Sequence, residues 1–298
     1  MKGPLLVGLA AFLWATDALF RFPSIQSVNP VFMVFVEHLL AVVALLPWIV
    51  ASRRRELFAL SRPQWIGIAL VGMGGSALAT ILFTMSFRLI NPSIAILLQK
   101  IQPVLVVLIA YAALGERPAR NFYPWAAIAL AASLLLSFPD LDFGFASDES
   151  GQDRLKGILC TLGAAAIWAA STVIGRGLLL KLDVGVISFW RFFFGLVALA
   201  AMIPFAWDGS FQLALGSGQL AVSLLYISLV SGLLAMVVYY AGLSRTPASV
   251  TTFMELIFPI AAVALNAVVL KLPLGTVQIG AGAVLLMAVW RIAVGREK

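Results

Sequence analysis

The chain is a succession of long apolar runs separated by short polar breaks. Breaks at charges, Pro and Gly divide it into ten runs, at 4–20, 30–51, 64–87, 93–113, 122–138, 156–178, 185–206, 219–243, 248–269 and 274–293. A helix that crosses a bilayer needs roughly 20 mostly apolar residues, with about 17 as the short limit. Every run meets that limit. Most connections are short. Only 139–155 is longer, and it is acidic, with Asp140, Asp142, Asp148, Glu149 and Asp153. No stretch is left over for a soluble domain. The pattern predicts an all-α polytopic membrane protein of ten transmembrane helices, here called spans one to ten.

The runs also repeat. GLAAFLWATD (8–17) resembles LGAAAIWAAS (162–171), with Trp14 opposite Trp168. At the same offset FVEHLLAVVAL (35–45) matches FWRFFFGLVAL (189–199), placing Glu37 opposite Arg191. IAILLQKIQPVLVVL (94–108) matches VTTFMELIFPIAAVA (250–264), with Gln99 opposite Glu255 and Pro103 opposite Pro259. The chain therefore divides into a first five-helix repeat, 1–138, an extracytoplasmic linker, 139–155, and a second repeat, 156–298. Five is odd, so the second copy enters the membrane from the opposite side. Inverted repeats place a substrate site near the bilayer midplane, at the repeat interface, and work by alternating access.

Composition agrees with the pattern. Hydrophobic residues make up 62% of 298, and charged residues 11%. A soluble domain carries about a quarter charged residues, so lipid is the solvent here. The net charge of +7 resides in loops and not on a basic face, which argues against a nucleic-acid partner. Thirteen Lys and Arg fall on one side of the predicted membrane and five, Arg21, Arg88, Arg154, Lys156 and Lys271, on the other. The side richer in Lys and Arg is the cytoplasmic one, so both termini are expected in the cytoplasm. The first run has the look of a signal peptide, but Trp14 has a repeat partner in Trp168, so the run is read as span one.

Few ionisable groups lie well inside the runs: Asp17, Glu37, Lys100, Arg191 and Glu255, with the lone histidine, His38, beside Glu37. A charge at a helix centre costs roughly 2.5–3.5 kcal/mol on insertion scales. It must be offset by pairing, hydration or neutralisation. Depth along the spans predicts two pairs, Glu37 with Lys100 and Arg191 with Glu255. Three readings stay open. The pairs are fixed bridges, or they line a cavity and meet substrate or a coupling proton, or the second is a bridge and the Glu37/His38/Lys100 cluster is functional. Trp14 and Trp168 are either core or an aromatic wall, with Tyr239, Tyr240 and Phe83 as further wall candidates. The expected cavity lies between spans one to four and six to nine, lined by Trp14, Glu37, His38, Gln99, Lys100, Trp168, Arg191, Tyr239 and Glu255. Spans five and ten are expected at the periphery.

Other chemistries lack their residues. One His and one Cys, far apart, supply no metal site. No GxSxG and no GxxxxGK[ST] loop occurs, so neither a serine hydrolase of that type nor an ATP-driven pump is indicated, and no cofactor is expected. A channel or facilitator is the alternative to a carrier, and an intramembrane enzyme is a weaker one.

The two inverted halves resemble the drug/metabolite transporter superfamily in its EamA-type branch. The matching features are the span-one Trp in LAAFLWATD and AAAIWAAST, the span-two endings VALLP and VALAAMIP, and the span-four Pro followed by LGERP. The resemblance implies a carrier of small metabolites in a bacterial inner membrane, often an exporter of amino acids or related compounds. A monomer or weak homodimer is expected. Two positions depart from it. The family favours Arg early in the second span of each half. Arg191 fits, but Glu37 stands in the first half. LGE after span four becomes LKLPLG after span nine.

Overall fold

The structure, a computed structural model, describes residues 2–25, 28–142, 151–206, 216–269, 271 and 274–295. The chain is all-helical among these residues. Span one is Lys2–Ile25, span two Pro30–Phe58 and span three Arg62–Leu89. Span four is Pro92–Gln99 followed by Gln102–Leu114, and span five Phe122–Ser137. Span six is Gly151–Leu179, span seven Val184–Met202 and span eight Gly218–Leu243. Span nine is Ala248–Met254 followed by Ile257–Val269, and span ten Thr276–Val294. Span six starts five residues earlier than expected, so Asp153 lies in its first turn. Asp148 and Glu149 of the linker lie outside the described residues.

The helix starts follow local chemistry. The Asn29 side chain accepts from the Val31 amide at 2.8 Å, and the Asp183 side chain accepts from the Gly185 amide at 2.8 Å. Both satisfy amides that a helix start leaves open. Ser61 heads span three, with Gln64 accepting from its amide at 2.7 Å, and Ser217 heads span eight by accepting from Leu220. Span four ends at Gly115, whose φ of 67° is the left-handed conformation that glycine adopts without penalty.

Span two is kinked at Arg53, where φ is −133° and ψ 18°. Two further kinds of irregularity each occur once in either half. Spans three and eight contain wide π-helical stretches, Leu70–Leu78 and Ile227–Leu234. Such stretches are rare and gather at functional sites. Spans four and nine break at Lys100–Ile101 and Glu255–Leu256. In each the cause is a proline four residues after Gln99 or Glu255, which has no amide to give that residue's carbonyl. The Glu255 carbonyl instead accepts from the Phe258 amide at 2.9 Å, so this kink tightens and does not leave the carbonyl open.

Packing exchanges partners between the halves. Span one lies against spans eight and nine, and span six against spans three and four. Span two packs on span seven, and span five on span ten. Glycines permit the closest approaches. A Cβ on Gly242 would lie 2.9 Å from the Gly3 carbonyl, at the end of the bundle that holds the start of span one. A Cβ on Gly157 would lie 3.1 Å from Leu89 Cβ, at the opposite end. Close backbone approach through small residues holds helices together where lipid gives no hydrophobic drive.

Candidate functional site

Span seven places Arg191 in the core, 8% exposed, where its hydrogen-bond partners among the described residues are neutral. Its Nη1 donates to the Tyr240 hydroxyl at 2.8 Å, and its Nε donates to Ser76 Oγ at 3.1 Å. Ser76 belongs to the π stretch of span three and also contacts His38 Nε2 at 2.9 Å. His38 Nδ1 lies 2.7 Å from the Val34 carbonyl. A carbonyl only accepts, so Nδ1 carries the hydrogen, and in the neutral ring Nε2 accepts from Ser76. The order is then Arg191 to Ser76 to His38 to Val34, with each donor used once. Gly195 makes room for the ring, since a Cβ there would lie 2.6 Å from His38 Nε2.

The neighbouring residue on span eight serves the opposite charge. The Tyr239 hydroxyl donates to Glu255 Oε1 at 2.8 Å. Its hydrogen is thereby used, so Thr172 Oγ1, 3.2 Å away, is the donor to it. The Tyr239 ring packs on Trp14 at 5.1 Å between centroids and on Tyr240 at 5.9 Å. Among the described residues Glu255 has no cationic partner. Trp168 is anchored by donating from Nε1 to the Gly75 carbonyl at 2.9 Å, beside Ser76, and its ring packs on Phe83 at 5.2 Å. Trp14, Phe83, Trp168 and Glu255 all remain half-buried.

A third cluster joins spans one, two and eight. Arg21 pairs with Asp17 one turn earlier and reaches Glu37 Oε1 with Nη1 at 2.8 Å. Ser231, in the π stretch of span eight, donates to Asp17 Oδ1 at 2.6 Å. One guanidinium thus serves two carboxylates in the bundle interior, where Glu37 is 7% exposed.

Both expected ion pairs are absent. Glu37 pairs with Arg21 and not with Lys100, because span one continues past residue 20 and carries Arg21 inward from its expected place in a loop. Lys100 lies at the break in span four and turns to span five, donating from Nζ to Ser133 Oγ at 2.7 Å. Span five therefore touches a charged group of the interior and is not wholly peripheral. Arg191 and Glu255 are held by two different tyrosines. Trp14, His38, Trp168, Arg191, Tyr239 and Glu255 fall into one connected region, and Glu37 lies in the separate Arg21 cluster. Gln99 and Lys100 do not join it by any hydrogen bond among the described residues. Sequence reasoning passed over Arg21, Ser76, Ser133, Thr172 and Ser231. The spacing of Asp17 and Arg21 by one helical turn and the matching serines of the two Gly-containing stretches were the available signals.

A bundle of apolar spans with several clusters of polar and charged groups in its interior is the setting in which membrane transporters hold their substrates. The EamA-like transporter family model matches residues 1–138 and again 155–294. The chain belongs to that family. It is 27% identical over 297 residues to "Riboflavin transporter ImpX" of Fusobacterium nucleatum, covering 98% of each chain. It is 26% identical over 264 residues to an "Uncharacterized transporter" of Archaeoglobus fulgidus, covering 86% of this chain and 85% of that one. A solved crystal structure superposes with a TM-score of 0.77 at 19% identity, over 98% of this chain and 96% of the other, which shows the shared fold.

Proposed function

We propose that this protein is a secondary transporter of a small polar or amphipathic metabolite. Its five-helix units, 1–138 and 156–298, close in turn on either side of a substrate held at mid-membrane. The observation that carries this reading is the placing of half-buried aromatic faces near a cation and a carboxylate that, among the described residues, have no ion-pair partner. Trp14 packs on Tyr239, which donates to Glu255, while Trp168, with Phe83 against its ring, is bonded to Gly75 next to Ser76, the acceptor from Arg191. Aromatic faces accept a flat ring by stacking. The charged and hydroxyl groups between them would bind its polar rim. The relative named as a riboflavin transporter supports the same substrate shape, a flat heteroaromatic ring with a hydrogen-bonding edge.

The exchange of packing partners supports alternating access. The contact of spans one and eight closes one end, and that of spans six and three closes the other. Arg176 adds to the first, donating from Nη1 to the carbonyls of Leu243 at 2.8 Å and Ser244 at 2.6 Å.

The test is uptake into liposomes holding the purified protein, with riboflavin, aromatic and aliphatic amino acids, and nucleosides as substrates. The expected result is saturable entry of a flat aromatic compound, accelerated when the liposomes are preloaded with the same compound. Flux that neither saturates nor responds to preloading would sink the carrier. Saturable entry of aliphatic solutes alone would sink the substrate class. Trp14→Ala is expected to lower the rate by about tenfold or more, the scale of losing a stacking contact of roughly 1.5 kcal/mol.

A further inference from the structure

At the end of the bundle that carries most of the loop arginines, a cavity of about 280 Å³ opens between the ends of spans four, five, nine and ten. Its polar lining includes Glu116, Arg117, Asn121, Ser249 and Arg291. The carboxylate is already committed. Glu116 Oε1 accepts from the Ala248 amide at 2.8 Å, and Oε2 accepts from the Ser249 amide at 2.9 Å and the Ser249 hydroxyl at 2.7 Å. Among the described residues neither Arg117 nor Arg291 has a carboxylate partner. The cavity therefore presents two arginines beside an acid already bonded to the start of span nine.

Aromatic rings hold both guanidinium groups. Arg117 Cζ lies 5.9 Å from the centre of the Tyr111 ring, and Arg291 Cζ lies 5.5 Å from Trp125 and 5.2 Å from Trp290. A guanidinium resting on a ring face keeps its N–H edge open, and that edge matches the two oxygens of a phosphate. The Asn121 amide, against Gly295, is a further donor at the rim. The same rings give the depth. Tyr111, Tyr123 and Trp290 are more than half exposed, and outward Tyr and Trp at span ends sit at the headgroup level of a bilayer. One turn deeper, Leu108 and Met287 are 60% and 56% exposed on the outward faces of spans four and ten. A ligand that places a phosphate on the arginines thus runs hydrocarbon chains over these residues.

We propose that this cavity binds the headgroup phosphate of an anionic phospholipid from the adjoining leaflet, through Arg117 and Arg291. Basic pockets between spanning helices take such headgroups. The apolar faces below them select a lipid over a free phosphate. The site is separate from the transport pathway and does not depend on the substrate reading.

The experiment is native mass spectrometry of the full-length protein, released from micelles doped with phosphatidylglycerol or with phosphatidylcholine of the same chains. Phosphatidylglycerol is expected to stay bound, in excess of phosphatidylcholine. The double variant Arg117→Gln/Arg291→Gln is expected to lose that excess by tenfold or more. Arg54→Gln/Arg55→Gln, at exposed arginines on the same end and away from the cavity, is expected to keep it. Should the glutamine pair fail to fold, Arg117→Lys/Arg291→Lys retains both charges and removes the fork, and a severalfold loss is expected. Equal retention of the two lipids, an unchanged double variant, or an equal loss at Arg54 and Arg55 would overturn the site. Displacement of the lipid by glycerol phosphate at comparable concentration would overturn the lipid as its occupant.

Discussion

Tyr239 and Tyr240 are neighbours on span eight, and their hydroxyls go to opposite charges. Tyr239 donates to Glu255, and Tyr240 accepts from Arg191. Adjacent helix positions point about 100° apart, so one turn of span eight keeps a buried cation and a carboxylate separate while serving both. Among the described residues each charge is bonded only to neutral groups, so an anionic group could answer Arg191, and a cationic group or a proton could answer Glu255.

The two hydroxyls are expected to differ in kind. Tyr240→Phe takes a hydrogen bond from a buried cation, a loss of about 1.5–3 kcal/mol, and is expected to lower the unfolding temperature in detergent. Tyr239→Phe removes the donor to a half-buried carboxylate and is expected to act mainly on transport. Its effect should nearly vanish in the background of Glu255→Gln, since coupled groups are not additive. Full additivity of Tyr239→Phe and Glu255→Gln in liposome uptake would show that the bond plays no part.

Counting charges predicts an order for the Arg21 cluster. Asp17 and Glu37 share one guanidinium. Arg21→Met strands two interior carboxylates, and leaving a buried charge unpaired costs about 3–5 kcal/mol. Glu37→Gln leaves Arg21 matched one to one with Asp17 and should be milder. The expected ranking of unfolding temperatures is wild type, then Glu37→Gln, then Arg21→Met. The reverse order of the two variants would mean that the cluster is not balanced in this way.

The spans, the prolines that break four and nine, and the residues bearing charge were all legible, because each depends on local composition. Partner choice was not. Whether Glu37 meets Lys100 or Arg21 depends on how far span one continues past residue 20, and helix ends are the part that local pattern leaves open. Ser76 and Ser231 carry no charge and stood in apolar, glycine-containing stretches, so only their matching places in the two halves marked them. They gained importance only when the wide turns of spans three and eight brought them against Arg191, His38 and Asp17. The LGE motif was likewise visible without its reason. Its acid spans the halves, capping the start of span nine.

That cap makes Glu116 a test of the join between spans four and nine. Three donors converge on it, and carboxylates at helix starts stabilise them. Glu116→Ala is expected to lower the stability by about 1–3 kcal/mol, read as a fall in unfolding temperature. Glu116→Gln retains one acceptor oxygen and is expected to recover part of it. Ser249→Ala removes only one of the three donors and should cost less than Glu116→Ala. An unfolding temperature that is unchanged in all three would separate the motif from the stability of the fold.

The glycine contacts at the two ends predict opposite effects on access. A methyl group at Gly242 would lie 2.7 Å from Val7 Cγ2 and 2.9 Å from the Gly3 carbonyl, so it penalises the state in which spans one and eight meet. A methyl group at Gly157 would lie 3.1 Å from Leu89 Cβ and penalises the contact of spans six and three. Overpacking of this kind costs about 1–3 kcal/mol. Applied to one state of a two-state equilibrium, that is roughly a fivefold shift or more. Cys160 is the sole cysteine, so Cys160→Ser gives a silent background, and Thr172→Cys places a thiol beside Tyr239 in the central region. With a membrane-impermeant thiol reagent, Gly242→Ala is expected to raise labelling from the end that carries the start of span one. Gly157→Ala is expected to raise it from the other end. If both raised labelling from the same side, the two contacts would not be alternating closures, and the carrier would have to open by some other movement.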